Sequence, residues 1–191
     1  MTGPNIWLGQ YDGHAAATCC GAVLETAGAL ANDAAAHARW RELVLRMGAA
    51  LGWPAPAPVI RGRTGVTILA FHAPLDQLML ATDINEWAWE LACGVQAHAG
   101  LHTQHPHLPD FAAALAWFAG QAAQQANPPL LALAAAAREH QLPLLLDDTA
   151  LSLGTGRGGR SWVLPDLPLV DSVPWSALAA VPAVMVSGTN G

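Results

Sequence analysis

Two stretches of this chain combine residue types and spacing that chemistry can use. The first is the C-terminus, where Val181-Pro-Ala-Val-Met-Val-Ser187 runs into Gly188, Thr189, Asn190 and Gly191. An apolar strand followed by a glycine-rich turn is how a phosphate loop begins. The glycines let backbone N–H groups point at phosphate, and the next helix contributes its positive end. The generic loop needs Gly, four residues, then Gly-Lys-Ser/Thr. If Gly191 is the second glycine, Val186 occupies the first position, so the generic form fails and its Lys has no residue to occupy. A flexible glycine-rich tail is the plainer alternative. The second stretch holds Asp83, Glu86 and Glu90, at i, i+3 and i+7 on one side of a helix. They form either a solvated acidic face opposite the stripe Leu80, Ile84, Trp87 and Leu91, or a carboxylate patch that holds a cationic amino acid or peptide through charge-assisted bonds.

Two further groups are weaker. His98, His102, His105 and His107 surround Pro106, but their spacing matches no standard zinc signature. A histidine-bearing loop is the simple reading, and a hydrolase using it with Asp83, Glu86 or Glu90 is the alternative. Gly154-Thr-Gly-Arg-Gly-Gly159 looks like a phosphate cradle but enters a strand, so a helix dipole is missing, and a hairpin turn is expected.

The elements that must position these groups are legible in part. Asn32 or Asp33 caps a helix over 31–51, with Trp40, Leu43, Val44 and Met47 at helical spacing. Residues 65–72 are rich in β-branched and aromatic side chains and read as a strand. Helices follow over 76–92, over 110–125 with Asp110 as cap, and over 130–140. Residues 4–9 and 142–146 read as short strands, the latter buried, and 150–153 and 161–164 as a pair. Residues 15–30 have no clear periodicity. The break Asn127-Pro128-Pro129 ends a first domain over 1–127. A small α/β segment over 128–165 and a linker with a first core strand over 166–191 come next. The fold class is therefore α/β or α+β.

Composition narrows the function. The chain has 191 residues, 53% hydrophobic and 12% charged, with a formal net charge of −6. It can bury a core. All eight basic residues are Arg, scattered rather than clustered, which argues against nucleic acid as a partner. No apolar run approaches the roughly 18 residues of a membrane span, and no secretory signal opens the chain, so a cytoplasmic location is expected. The three cysteines form neither a disulfide framework nor a zinc knuckle.

Val-Ser-Gly-Thr-Asn-Gly at 186–191 resembles the start of the phosphate loop of the Mur ligase family, Gly-Thr-x-Gly-Lys followed by Ser or Thr. Thr2-Gly-Pro-Asn-Ile-Trp7 resembles the Arg-Gly-Pro-Asn-x-Trp opening of cyanophycin synthetases. Residues 134–156, with Ala-Arg-Glu-His-Gln-Leu-Pro and Leu-Ser-Leu-Gly-Thr-Gly, look like the segment where those enzymes enter an ATP-grasp region. The resemblance implies an N-terminal domain and a Mur core with the ATP-grasp domain largely missing. It further implies an ATP- and Mg²⁺-dependent ligase that activates a carboxylate as an acyl phosphate for attack by an amine, cut within its phosphate loop and incomplete as it stands. Some members carry a His-x-x-Glu-His metallopeptidase-like pattern with a further Glu on the matching helix. Here Thr82, Asn85 and Glu86 stand at those three positions and Glu90 alone keeps its type, so no metal site and no zinc hydrolase activity are expected. The first domain is expected to position an amino-acid or peptide substrate, with a non-catalytic binding module as the alternative.

Overall fold

The structure, a computed structural model, describes residues 2–5, 20–54, 56–63, 65–94 and 106–180. It is mixed α/β and divides into two compact units, Met1–Ala126 and Asn127–Gly191.

The first unit contains a four-stranded antiparallel sheet in the order β1-β2-β4-β3, built from Thr2–Asn5, Gly21–Ala27, Val66–His72 and Val59–Arg63 respectively. Period-two alternation decides which side chains face the core. Ala22 and Leu24 of β2 and Leu69 and Phe71 of β4 are buried in it, and Ile60 of β3 packs against it. The strand β2 lay hidden in the stretch without clear periodicity. It alternates correctly, but Gly, Ala and Thr dilute its pattern.

Among the described residues this unit also has three helices: α1 (Ala34–Ala50), α2 (Leu78–Cys93) and α3 (Phe111–Gln125). Asp33 caps α1 by accepting from the Ala35 amide at 2.8 Å, and Asp110 caps α3 by accepting from the Ala113 amide at 2.9 Å. Each cap satisfies a backbone donor that has no partner inside the helix. Helix α2 is the keystone. It packs against α1, β1, β2 and α3, and Leu80, Ile84, Trp87 and Ala88 are at most 1% exposed. Its first turn is preceded by a 3-10 turn over Leu75–Gln77. Gly94 ends it in the left-handed conformation (φ 65°), which suits a residue without Cβ.

The second unit opens with α4 (Pro128–Glu139), capped by Asn127 and with Pro in its first turn, where the missing N–H costs nothing. A three-stranded antiparallel sheet follows in the order β5-β6-β7: Leu144–Leu146, Ala150–Leu153 and Arg160–Val163. Leu151 and Leu153 are buried, whereas Leu145 of the edge strand β5 is 59% exposed. The expectation of a buried strand here is corrected: Leu144 and Leu146 are half-buried and Leu145 is exposed, because among the described residues nothing covers the face to which Leu145 points. Residues 164–177 form three successive 3-10 turns.

The glycine-rich turn between β6 and β7 is built for close backbone approach. Gly154 sits at φ +76°, and a Cβ there would meet the carbonyl oxygens of Gly158 and Ala179 at 2.6 and 2.8 Å. The Thr155 amide donates to the Ala179 carbonyl (2.9 Å), and the Ala179 amide donates to the Gly158 carbonyl (3.0 Å). The amides of Gly154, Gly158 and Gly159 also donate to carbonyls of the chain. Donors that a phosphate would need are thus engaged, and the turn secures residue 179 instead.

Candidate functional site

Helix α2 carries the carboxylates that the spacing singled out, in an environment that spacing alone does not reveal. Asp83 and Glu90 are half-buried, and Glu86 is 1% exposed. A freely solvated acidic face therefore does not describe this side of the helix. The Oε2 atom of Glu86 finds no hydrogen-bond partner among the described residues. Burying such an oxygen carries a desolvation cost, and one turn later stands Glu90, close enough on a helix surface for like charges to disfavour each other.

The helix that holds them is itself tightly fixed. The Asn85 Oδ1 accepts from the buried Trp40 indole at 2.9 Å, and the Asn85 Nδ2 donates to the Leu69 carbonyl at 3.2 Å. One amide thereby ties α1, α2 and β4 together. The Thr82 hydroxyl donates to the Leu78 carbonyl at 3.1 Å. Arg39 of α1 donates to the Ala92 carbonyl at 2.7 Å, in the last turn of α2. The positions that in the resembling family belong to a metal pattern are here occupied by Thr82 and Asn85, which make structural bonds. Among the described residues no group of three or more His, Cys, Asp or Glu is placed to hold a metal ion. Near the end of the helix, burial pushes the Cys93 thiol pKa up, with Arg39 opposing the shift and Asp33 adding to it.

Glu90 lines a pocket of about 230 Å³ together with Trp87, Leu91, Gly94, His107, Leu108 and Pro109. The last turn of α2 makes one wall and the segment that leads into α3 makes the other. The Trp87 indole donates to the Leu108 carbonyl at 3.3 Å, tying the two walls. Phe111 and Phe118 sit at 6.1 and 5.7 Å from the Trp87 ring centroid, the second edge-on. Arg46 of α1 lies over Phe111 at 4.3 Å.

Two features of the pocket favour a cation. Glu90 supplies a carboxylate. The C-terminal end of α2 carries the negative pole of the helix dipole. The Trp87 indole, 1% exposed, forms part of the apolar wall beside them. His107 is exposed at the rim. Sequence reasoning found Glu90 but missed the apolar wall of Leu108 and Pro109. The available signal was Asp110, whose capping role fixes where the segment from 106 to 109 meets the helix.

Of the other predicted groups, His98, His102 and His105 lie outside the described residues. So do the strand over 183–187 and Gly188, Thr189, Asn190 and Gly191. Among the described residues no helix is long and apolar enough to cross a membrane. The chain matches no protein-family model and no curated protein.

Proposed function

We propose that this chain is the front part of an ATP-dependent, amide-bond-forming ligase of the Mur type, and that its first unit holds the amino-acid or peptide substrate. The observation that carries the binding role is the pocket at the end of α2, where Glu90 meets the Trp87 and Leu91 walls with Glu86 buried one turn away. A cationic group seated there gains from the carboxylate and the helix terminus together. It also relieves the opposition between the two glutamates. The ATP chemistry rests on the resemblance of residues 186–191 to a Mur phosphate loop. In the complete enzyme that loop would hold the β- and γ-phosphates while Mg²⁺ offsets their charge. Asp83, further toward the N-terminus of the helix, would add to the negative potential.

Calorimetric titration with an arginine-bearing dipeptide tests the binding role. Wild type binds, and Glu90→Gln weakens binding about tenfold or more, in line with loss of one charge-assisted contact. Because Glu90 is half-buried, added salt reduces the wild-type affinity only in part. Equal affinity of wild type and Glu90→Gln removes the pocket from the account.

A further inference from the structure

Residues 164–179 of the second unit carry Pro165, Pro168 and Pro174. Each proline removes a backbone donor and fixes φ, so this stretch can neither prolong the sheet after β7 nor wind into an α-helix. It settles into the 3-10 turns Leu164–Asp166, Val170–Ser172 and Trp175–Ala177. Its backbone bonds stay within it. Ser172 donates to Leu169, Val173 to Val170, Trp175 to Val173, Ala177 to Pro174 and Leu178 to Trp175. The Trp175 indole donates to the Val170 carbonyl at 2.9 Å. Among the described residues, none from 165 to 178 exchanges a backbone bond with the rest of the unit.

Three fasteners hold this stretch in place. At its start the Leu164 amide donates to the Thr149 carbonyl at 2.9 Å, beside the β6–β7 pairing. In its middle the turn Val170–Ser172 packs on α4, and Val173 is 5% exposed. There the Trp175 ring also lies flat on His140, the residue that ends α4, with centroids 4.5 Å apart and planes 7° from parallel. At its end Ala179 is gripped by the Thr155 amide and the Gly158 carbonyl. Lifting the stretch would therefore uncover only two backbone groups of the grip, on a turn where Gly156, Arg157 and Gly159 are exposed and water can replace the lost bonds. Segments with so few outside bonds lie at the low end of local stability. The prolines limit the freedom gained on lifting, which makes closing again less costly.

We propose that residues 165–179 are a strap that lifts from the second unit and closes again as one piece. It is hinged after Leu164, latched at Ala179 by the glycine-rich turn, and fastened at mid-span by the His140–Trp175 stack. Closed, it fixes the point at which residue 180 leaves the unit. Lifted, it frees that point and bares the surface of α4 that the Val170–Ser172 turn covers. The glycines of the turn gain a role on this account, because a Cβ at Gly154 or Gly158 would stand within 3 Å of Ala179 and keep the latch from closing.

Native-state hydrogen exchange on the full 191-residue chain reads this device in the wild type. A lone 3-10 turn does not protect its amides in water, so the amides of Val173, Ala177 and Ala179 exchange whenever the strap is lifted. They should share one opening constant, at least about tenfold larger than that of Leu151 and Leu153 in β6. His140→Ala removes the mid-span stack and should lower protection at all three positions by the same factor, about two- to tenfold. Gly158→Ala acts at the latch and should lower it about fivefold or more, again equally at all three. Protection in β6 should hold in both variants. Separate opening constants for the three amides, or a loss confined to the fastener that was altered, overturns the proposal. A β6 constant equal to that of the strap, or a fall in β6 that matches it, overturns the proposal too, since the strap then moves only when the whole unit unfolds.

Discussion

Replacing Asn85 by Ala should loosen the element on which the site depends. The side chain is 1% exposed and makes two bonds, accepting from the Trp40 indole at 2.9 Å and donating to the Leu69 carbonyl at 3.2 Å. Trp40 is itself fully buried, so removing the amide strands an indole N–H without water. A stranded buried donor costs about 1–3 kcal/mol. The volume vacated by the amide adds a smaller packing loss, giving roughly 2–4 kcal/mol in all. Hydrogen exchange reads this element by element. Protection of the most stable amides of α1 and α2 should fall by roughly 30- to 1000-fold, the factor that such a free energy sets. Protection in β6 of the other unit serves as an internal reference. Trp40→Phe removes the donor instead, and the double variant should cost less than the two single changes summed, by about 1 kcal/mol. Loss of less than about 0.5 kcal/mol in Asn85→Ala, or strict additivity in the pair, would refute the assignment of Asn85 as the tie between α1, α2 and β4.

Other positions give independent checks. At Gly158 a Cβ would sit 2.7 Å from the Ala179 Cβ and 2.9 Å from its amide nitrogen, so Gly158→Ala should release the segment around 179 at a cost of about 1–3 kcal/mol; limited proteolysis near residue 179 should quicken, and unchanged resistance would contradict the close approach. Gly120, inside α3, has open space around its Cβ direction, and Gly120→Ala should stabilise by about 0.5–1 kcal/mol in thermal melts. Asp147 accepts from the Thr149 amide and hydroxyl and the Ala150 amide; these bonds, the Thr149 amide first, hold its carboxyl below the usual carboxylate range. Its folded pKa therefore lies under the unfolded one, so its contribution is present above the unfolded pKa and disappears as pH falls through the folded one. Acid titration of Asp147→Ala should lack that component, and superposable acid limbs for variant and wild type would exclude it.

Legibility followed the strength of local signals. Helices α1 and α3 announced themselves through Asp33 and Asp110 and through apolar periodicity, and β4 through Val66, Thr67 and Ile68. Strand β2 was not legible, because Gly21, Ala22 and Ala27 contribute little hydropathy contrast and its alternation shows only once β4 is beside it. Strand β3 follows a proline-rich stretch and contains Gly62, so its pairing with β4 came from tertiary structure rather than propensity. At the site, helical spacing correctly put Asp83, Glu86 and Glu90 on one side of α2, yet it said nothing about the burial of Glu86. Burial is a property of what packs over a helix, and no periodicity encodes it. The dual role of Asn85 was equally invisible, since its partners Trp40 and Leu69 are distant in sequence.

The ligase reading is tested most directly by titrating Mg-ATP into this chain and into a longer one. On that reading residues 183–191 would supply only the first half of a phosphate loop. The Lys that reaches the β- and γ-phosphates, the hydroxyl that ligates Mg²⁺ and the helix facing the anion would all come after Gly191. Calorimetry should detect no binding of Mg-ATP to residues 1–191. The same chain carried on through a following Lys-Ser/Thr and the rest of a Mur core should bind it, and lose ligation when that Lys is changed to Ala. Micromolar binding of Mg-ATP to residues 1–191 alone would contradict the account and place the nucleotide elsewhere in the molecule.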